Sequence, residues 1–385
     1  MKLIADGAVF CVTFSISYYI AVSLAALRFA WGASSPAPAL PDHLPLVAIL
    51  KPLHGLEKGL RSQIASYFEL DYPRAEYYFG VSDEADRATE VPLELHRSFP
   101  QRPMQMVVGG EPFSANRKVA KLIKMGDLAH DADILVMSDS DIAVDRNHLR
   151  RLIGELSADD KLGVVSCLYR ARPNGTVASR LEALAVNTDF TPMVMLSAAI
   201  EPVRFALGAT IAIKRAALES IGGFRAVRNL LADDYYIGKL AAEHGWGVEL
   251  SSSIVDTVAR ERTFADFWNH QLRWARTYRT TRPLSLATIL LHGPFWALIL
   301  LIATGGSVFA LKALALVLIA RLAMATLMLR YILRVPELTR DVWLVPLKDL
   351  CMTAIWFTSL LSNKVHWAGR QLEIRRDGTL HEVDV

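Results

Sequence analysis

From Gly7 to Leu27 the chain carries no charged residue, and from Pro283 to Leu311 it carries none again. About 20 apolar residues suffice for a helix to cross a hydrocarbon core of roughly 30 Å. Backbone polar groups at that depth find no water, so such a run enters a bilayer as a helix that satisfies its own hydrogen bonds. The two runs therefore restrict the chain to folds with apolar helices on either side of a more polar middle. The overall composition agrees, with 52% hydrophobic residues and a mean hydropathy of +0.26, since soluble domains of this size rarely average so apolar. Lys and Arg total 42 against 39 Asp and Glu, a net charge of +3 without a dense basic run, which argues against a nucleic-acid partner.

The first run belongs to a segment, residues 1–31, whose only basic group ahead of the apolar stretch is Lys2. The small residues of "WGASSPAPA" after it also suit a cleaved signal peptide, but the run is longer than a signal core, which favours an uncleaved transmembrane anchor. In the second region, residues 283–363, "TGG" at Gly305 and Gly306 can reverse the chain, so that "KALALVLIARLAMATLMLRYIL" returns as a further span. The last apolar stretch, "VWLVPLKDLCMTAIWFTSLLS", is interrupted by Pro346, Lys348 and Asp349. A broken span, a re-entrant piece and an interfacial helix all remain open for it. Residues 364–385 form a polar tail. Arg28, the cluster Arg273 to Arg282, and Arg330, Arg334 and Arg340 fall on one side if anchor and hairpin both cross, and the positive-inside bias makes that side cytosolic. Cys11, Cys167 and Cys351 lie far apart with no CxxC, a pattern that supports neither zinc nor a disulfide framework and suits a reducing compartment.

In the middle, residues 45–280, apolar runs "LVAIL" (46–50), "EYYFGVS" (76–82), "MQMVVGG" (104–110) and "DILVMSD" (133–139) alternate with helical stretches such as "NRKVAKLIKMGDLA". The alternation predicts an α/β domain built on a mainly parallel sheet. Ligands of such sheets sit at the carboxyl ends of the strands, where Asp83, the pair Asp139 and Asp141, and, further on, Asp233 and Asp234 of "LLADDYYIG" fall. An aspartate after a strand is commonly a turn former or helix cap, and for Asp83 and Asp145 that reading weighs most. Asp139 and Asp141 differ. Two acids on one side of an extended chain repel each other with nothing local to neutralise them, which calls for a cation.

Together with "ADD" and "HQLRWART" further along, these motifs resemble family-2-type membrane glycosyltransferases of the Rossmann-like GT-A fold, and more narrowly glycosyltransferase family 21, the ceramide glucosyltransferase family. The likeness runs from "LVAILKPLHGLEKGL" through "GVSDEAD", "NRKVAKL", "LVMSDSDI" and "GGFRAVRNLLADDYYIGKLAAEHGW" to "QLRWART" and the membrane segments. It implies a UDP-sugar donor, a membrane lipid hydroxyl as acceptor, and Mg²⁺ or Mn²⁺. By motif, Lys51, Pro52 and Leu53 would frame the nucleotide, Asp83 would face the uracil, and Asp139 and Asp141 would hold the metal. Asp234 matches the family's general base. Asp233 is open between a supporting partner and a helix-start residue. His270, Arg273 and Trp274 fall on the (Q/R)-x-x-R-W motif as diphosphate and acceptor contacts; His270 stands where the family has glutamine or arginine, and a histidine there can still donate to phosphate. The same segment also reads as an amphipathic interfacial helix. Asn116 and Lys118 match an N-x-K element near the donor, or else a solvated basic helix face. "TVASRLEALAVNTDFTPMVMLSAAI" is either acceptor-proximal or a plain core helix.

The resemblance leaves the acceptor open between ceramide and a hopanoid such as bacteriohopanetetrol, the bacterial members of the group including hopanoid-modifying N-acetylglucosaminyltransferases. A processive polysaccharide synthase shares the motif order but needs a channel of more spans. A nucleotide-binding anchor without catalysis is the third alternative.

Overall fold

The computed structural model describes residues 1–34, 38–367 and 370–382. Its contacts divide the chain into two compact units. A sheet unit comprises residues 33–169 and 202–258, and a helical unit comprises residues 1–32, 170–201 and 259–385.

The sheet is built from β1 (Val47–Pro52), β2 (Ala75–Val81), β3 (Met104–Val108), β4 (Ile134–Ser138), β5 (Ile142–Ala143), β6 (Leu162–Pro173), β7 (Thr210–Lys214) and β8 (Gly247–Ala259), in the spatial order β3-β2-β1-β4-β7-β6-β8-β5. β1 to β4 are the four strands expected from the apolar runs, and they pair in parallel, with Val47 opposite both Ala75 and Ile134. Helices Leu60–Phe68, Glu90–Ser98 and Arg117–Leu128 make the crossovers. Because side chains alternate along a strand, Val47 and Ile49 enter one core with Phe68, Tyr77, Phe79 and Val136. Ala48 and Leu50 enter the other with Leu122, Leu135 and Met137. Beyond β4 the sheet departs from the expected parallel pattern: β7 runs antiparallel to β4 and to β6, and β5 antiparallel to β8.

Two consequences of this topology place the site. The chain winds outward from β1 to β3, then returns to lay β4 on the other side of β1, so the carboxyl ends of β1 and β4 flank a topological switch point, where open α/β sheets bind ligands. The antiparallel pairing of Ser138 with Thr210 then brings the residues just before β7, among them Gly208, to the same end as Asp139.

Among the described residues, three helices are long and apolar enough to cross a membrane: Lys2–Ala33, Val177–Ile200 and Val308–Ile332. Pro283–Leu291 and Gly293–Ala303 form a pair bent by 56° that makes a fourth if counted as one broken span. The bend frees carbonyls that must find donors away from water. Helix Lys2–Ala33 supplies them: Ser15 Oγ donates to Leu290 O at 2.9 Å and Tyr19 OH to Leu291 O at 3.2 Å. Gly305 and Gly306, with φ of 63° and 79°, make the reversal into Val308–Ile332. The last apolar stretch forms helix Val345–Ser359, about 22 Å long at 1.5 Å per residue and so short of a full crossing. Its Lys348 and Asp349 are buried in an ionic quartet. Arg321 meets Asp349 at 2.8 Å and Asp189 at 2.5 Å, while Lys348 meets both aspartates at 2.5 Å. The chain ends in a three-stranded antiparallel sheet, β9 (Lys364–Trp367), β10 (Arg370–Ile374) and β11 (Leu380–Glu382).

Candidate active site

Asp139 leaves the end of β4 and Asp141 follows two residues later. Asp141 is held by Thr257 of β8, whose Oγ1 donates to Oδ2 at 2.9 Å. Lys51, at the end of β1, is fully buried and does not point outward. Its ammonium donates to the Asp139 carbonyl at 2.8 Å and lies 3.8 Å over the Tyr67 ring. Lys51 thus fixes the backbone of the acidic pair. Pro52 ends β1, and Leu53 follows, its carbonyl accepting from Lys121 Nζ at 2.8 Å. Burial lowers the Lys121 amine to about 8.

The second acidic pair opens helix Asp233–Glu243, where negative charge is favoured by the helix dipole. Asp234 Oδ2 accepts from the Gly208 backbone N–H at 2.7 Å, and its Oδ1 from Tyr235 N at 2.8 Å. A Cβ on Gly208 would lie 2.9 Å from Asp234 Oδ2 and 3.5 Å from Asp139 Oδ2, so this glycine sits between the two motifs. Lys118 bridges them from the other side, with Nζ 2.8 Å from Asp139 Oδ1 and 3.3 Å from Asp233 Oδ2. Asn116 caps helix Arg117–Leu128 through Oδ1 and donates from Nδ2 to Leu230 O and to Asp233 Oδ1, at 2.9 and 3.1 Å. Asn116 therefore orients Lys118 and Asp233 together, and Asp233 supports the site as well as starting its helix.

The electrostatics follow from this crowding. Burial, and then the charge of Asp233, push Asp234 up to about 6, against the pull of Lys118. Asp139 is likewise raised by burial, opposed by Lys118 and reinforced by Asp141. The Lys118 amine is raised above its ordinary value: burial disfavours its charge, but the charges of Asp139, Asp233 and Asp234 outweigh that cost. Three carboxylates, Asp139, Asp233 and Asp234, thus gather around the Lys118 ammonium, with Asp141 acting on Asp139, and the charge balance is left negative. Two oxygen-only donors at Asp139 and Asp141, raised or crowded by neighbouring charge, fit a hard divalent cation such as Mg²⁺ or Mn²⁺.

Asp83 follows β2. Its Oδ1 accepts from Ala85 N at 2.9 Å, the local turn role that such a residue commonly plays. His270, Arg273 and Trp274 lie on helix Phe264–Thr281 of the helical unit. The Trp274 ring meets Phe190 at 5.3 Å, His270 at 5.1 Å and Tyr278 at 6.1 Å. Phe190 closes a π-helical turn, Val186–Phe190, a distortion frequent at functional sites. Sequence reasoning assigned no role to Gly208, Thr257 or Phe190. "LGAT" just before an apolar strand was the available signal for the first, since a glycine there permits close backbone approach.

The position of Asp234 depends on a second glycine. A Cβ at Gly238, one turn further along the same helix, would lie 2.3 Å from the Ala206 nitrogen and from the Phe205 carbonyl carbon. Neither backbone atom can swing aside. Gly238→Ala is expected to displace the helix from residues 205–208, lowering Tm by several degrees and loosening the Gly208 to Asp234 hydrogen bond, as thermal unfolding and amide exchange at Gly208 would record.

The model of the family described as glycosyl transferase family 21 matches residues 8–380. Ceramide glucosyltransferase 1 of Caenorhabditis elegans is 24% identical over 241 residues, 63% of this chain and 50% of that protein. Probable glycosyltransferase YdaM of Bacillus subtilis is 22% identical over 60% of this chain and 55% of its own length. The chain spans about half the length of these curated relatives. Among solved structures, mannosyltransferase PcManGT from Pyrobaculum calidifontis, in complex with GDP-Man and Mn²⁺, aligns over 91% of this chain and 99% of its own with a TM-score of 0.51 and 18% identity, a likeness of fold.

Proposed function

Because this chain belongs to glycosyl transferase family 21, and is therefore a sugar transferase on a GT-A-like fold, we propose that it moves a hexose from a UDP-sugar to the hydroxyl of a membrane lipid by a single, inverting displacement. The observation that carries the reading is the meeting of Asp139 and Asp234 around Gly208, with Lys118 on Asp139 and Asp141 beside it, at the sheet's switch point. Asp234 is the general base. The lipid hydroxyl oxygen attacks the anomeric carbon as its proton passes to the Asp234 carboxylate, and the bond from that carbon to the diphosphate oxygen breaks, releasing UDP. The Gly208 N–H and the Tyr235 N–H hold the carboxylate in place. Lys118 offsets part of the negative charge that the donor brings.

Asp139 and Asp141 would hold Mg²⁺ or Mn²⁺, which when bound neutralises charge on the departing diphosphate. Lys51 keeps the turn that presents both aspartates, and Lys51, Pro52 and Leu53 edge the nucleotide side, with Asp83 toward the base. By the family motif Arg273 and Trp274 would serve the diphosphate and the acceptor; within the helical unit Trp274 packs with Phe190 and Tyr278. In this reading the reaction takes place at a bilayer that delivers the lipid, with the catalytic domain on the cytosolic side; the apolar helices support it. The ceramide glucosyltransferase relatives make ceramide the first acceptor to try.

Membranes containing the chain, given heavy-labelled UDP-glucose or UDP-N-acetylglucosamine together with ceramide or a hopanoid polyol, are expected to transfer label into an organic-extractable glycolipid. A water-soluble polymer formed from UDP-sugar alone would overturn the reading in favour of a polysaccharide synthase. Asp141→Ala is expected to raise the Mg²⁺ or Mn²⁺ concentration needed for half-maximal UDP binding by tenfold or more. An unchanged metal response would remove the pair from metal binding.

A further inference from the structure

The helical unit carries a second set of convergent donors, built from residues other than the aspartates of the donor site. Glu182 projects from helix Val177–Ala185, Glu261 from the segment leaving β8, and His270 from helix Phe264–Thr281. One ligand atom from each lies within 4.8 Å of the others. His270 Nδ1 is 2.8 Å from Glu182 Oε1 and 3.3 Å from Glu261 Oε1. Donors about 2.1 Å from a shared cation stand roughly 3.0 to 3.4 Å apart in octahedral or tetrahedral arrangement, so both separations are close to polyhedron edges.

A plain histidine–glutamate ion pair does not account for the group. Nδ1 holds a single proton, yet two carboxylates face it. The second oxygen of each acid, Glu182 Oε2 and Glu261 Oε2, is buried with no hydrogen-bond partner, and Glu182 as a whole is only 2% exposed. A buried carboxylate oxygen left without a donor is costly. The acids are also held in place: Gln271 Nε2 donates to Glu182 Oε1 at 2.8 Å, and Thr176 Oγ1 to the Glu261 carbonyl at 2.6 Å. Outer hydrogen bonds of this kind orient metal-ligating carboxylates.

We propose that Glu182, Glu261 and His270 form a binding site for a first-row divalent cation of the Zn²⁺ class, separate from the Asp139 and Asp141 pair. The imidazole distinguishes the two sites, because nitrogen together with carboxylate oxygen favours Zn²⁺, whereas the all-oxygen pair suits Mg²⁺ or Mn²⁺. The bound cation ties helix Phe264–Thr281 to helix Val177–Ala185. In doing so it fixes the His270 ring against which Trp274 packs. The inference stands on these side chains alone and does not depend on the reading of the donor site.

The test uses the full chain in detergent micelles, stripped with a chelator and titrated with Zn²⁺, in an Asp139→Asn/Asp141→Asn background that removes the other candidate site. The background protein is expected to take up one equivalent of Zn²⁺ with a rise in Tm. His270→Gln, which installs the amide found in other members of the family, is expected to weaken Zn²⁺ at least tenfold. Glu261→Gln, should His270→Gln fail to fold, gives an independent signature. It relieves charge repulsion in the chelated protein and so raises Tm there, but removes a ligand and so lowers Tm relative to the background when Zn²⁺ is present. Absence of a stoichiometric Zn²⁺ equivalent in the folded background, or Zn²⁺ affinity unchanged in both variants, would overturn the proposal and leave a metal-free ion pair.

Discussion

Asp234→Asn is expected to lower the rate of sugar transfer by about 10² to 10⁴ while leaving UDP-sugar affinity within a few fold, because general-base assistance to a weakly acidic hydroxyl contributes on that scale. The substitution is nearly isosteric, and the amide oxygen can still accept from Gly208 N; the amide nitrogen cannot accept from Tyr235 N as Oδ1 does, so one of the two bonds at the helix start is lost. The native carboxylate also gives a pH signature. With Asp234 pushed up to about 6, the base is protonated below that value, and kcat/KM should fall tenfold per pH unit on the acid side; a cation on the neighbouring pair moves the limb lower. The same shift has a consequence for stability. A carboxyl raised in the folded state favours folding when protonated, and that contribution is lost as pH rises through about 6. At pH 7 to 8 the relief of charge should therefore offset the lost bond, leaving the asparagine variant with a Tm close to the parent's while nearly inactive. Rate constants and melting curves on one preparation decide the matter: transfer at the parental rate would remove Asp234 as base, and a large drop in Tm would mean that the activity loss reports unfolding.

The parts of this arrangement legible in the sequence are those written in local periodicity. β1 to β4 announce themselves as short apolar runs between helical stretches, and the aspartates at their ends stand out because nothing adjacent neutralises them. β6, β7 and β8 are less visible. β8, over Gly247–Ala259, is broken by three consecutive serines, Ser251 to Ser253, and the antiparallel half of the sheet rests on pairings such as Ser138 with Thr210 that no local pattern encodes. The roles of Lys51 and Asn116 show the same limit. Both were marked as donor-side residues by motif, yet one supports the Asp139 carbonyl and the other caps a helix while gripping Asp233. Motif position says that a residue lies near the chemistry; only the fold says which atom it holds. Gly208 carries no charge or period at all, and its place between Asp139 and Asp234 follows solely from the reversal of β7 against β4.

Lys348 and Asp349 pose the same problem inside the apolar unit, where the largest stability effect is expected. In the sequence they interrupt an apolar stretch; in the structure, helix Val345–Ser359 brings them to Arg321 and Asp189, which lie far away along the chain. Two cations and two anions sum to zero, and Arg321 also donates to the Thr188 carbonyl at 3.1 Å, inside the π-helical turn that ends in Phe190. Arg321→Met keeps an unbranched apolar stem but removes the guanidinium, leaving Asp189 and Asp349 with one ammonium between them. Breaking a buried ion pair from one side typically costs about 3 to 5 kcal/mol, less where an unfolded helix in lipid still finds partners. The single variant should therefore show a sharply lower Tm in detergent. Arg321→Met/Asp349→Leu removes one charge of each sign, leaves Lys348 with Asp189, and is expected to recover a substantial part of the loss, so the two changes are non-additive. If the double variant were no more stable than the single one, charge balance would not be what holds Asp189 and its π-helical turn in place. The aromatic contact of Phe190 with Trp274 would then have to be maintained by packing alone.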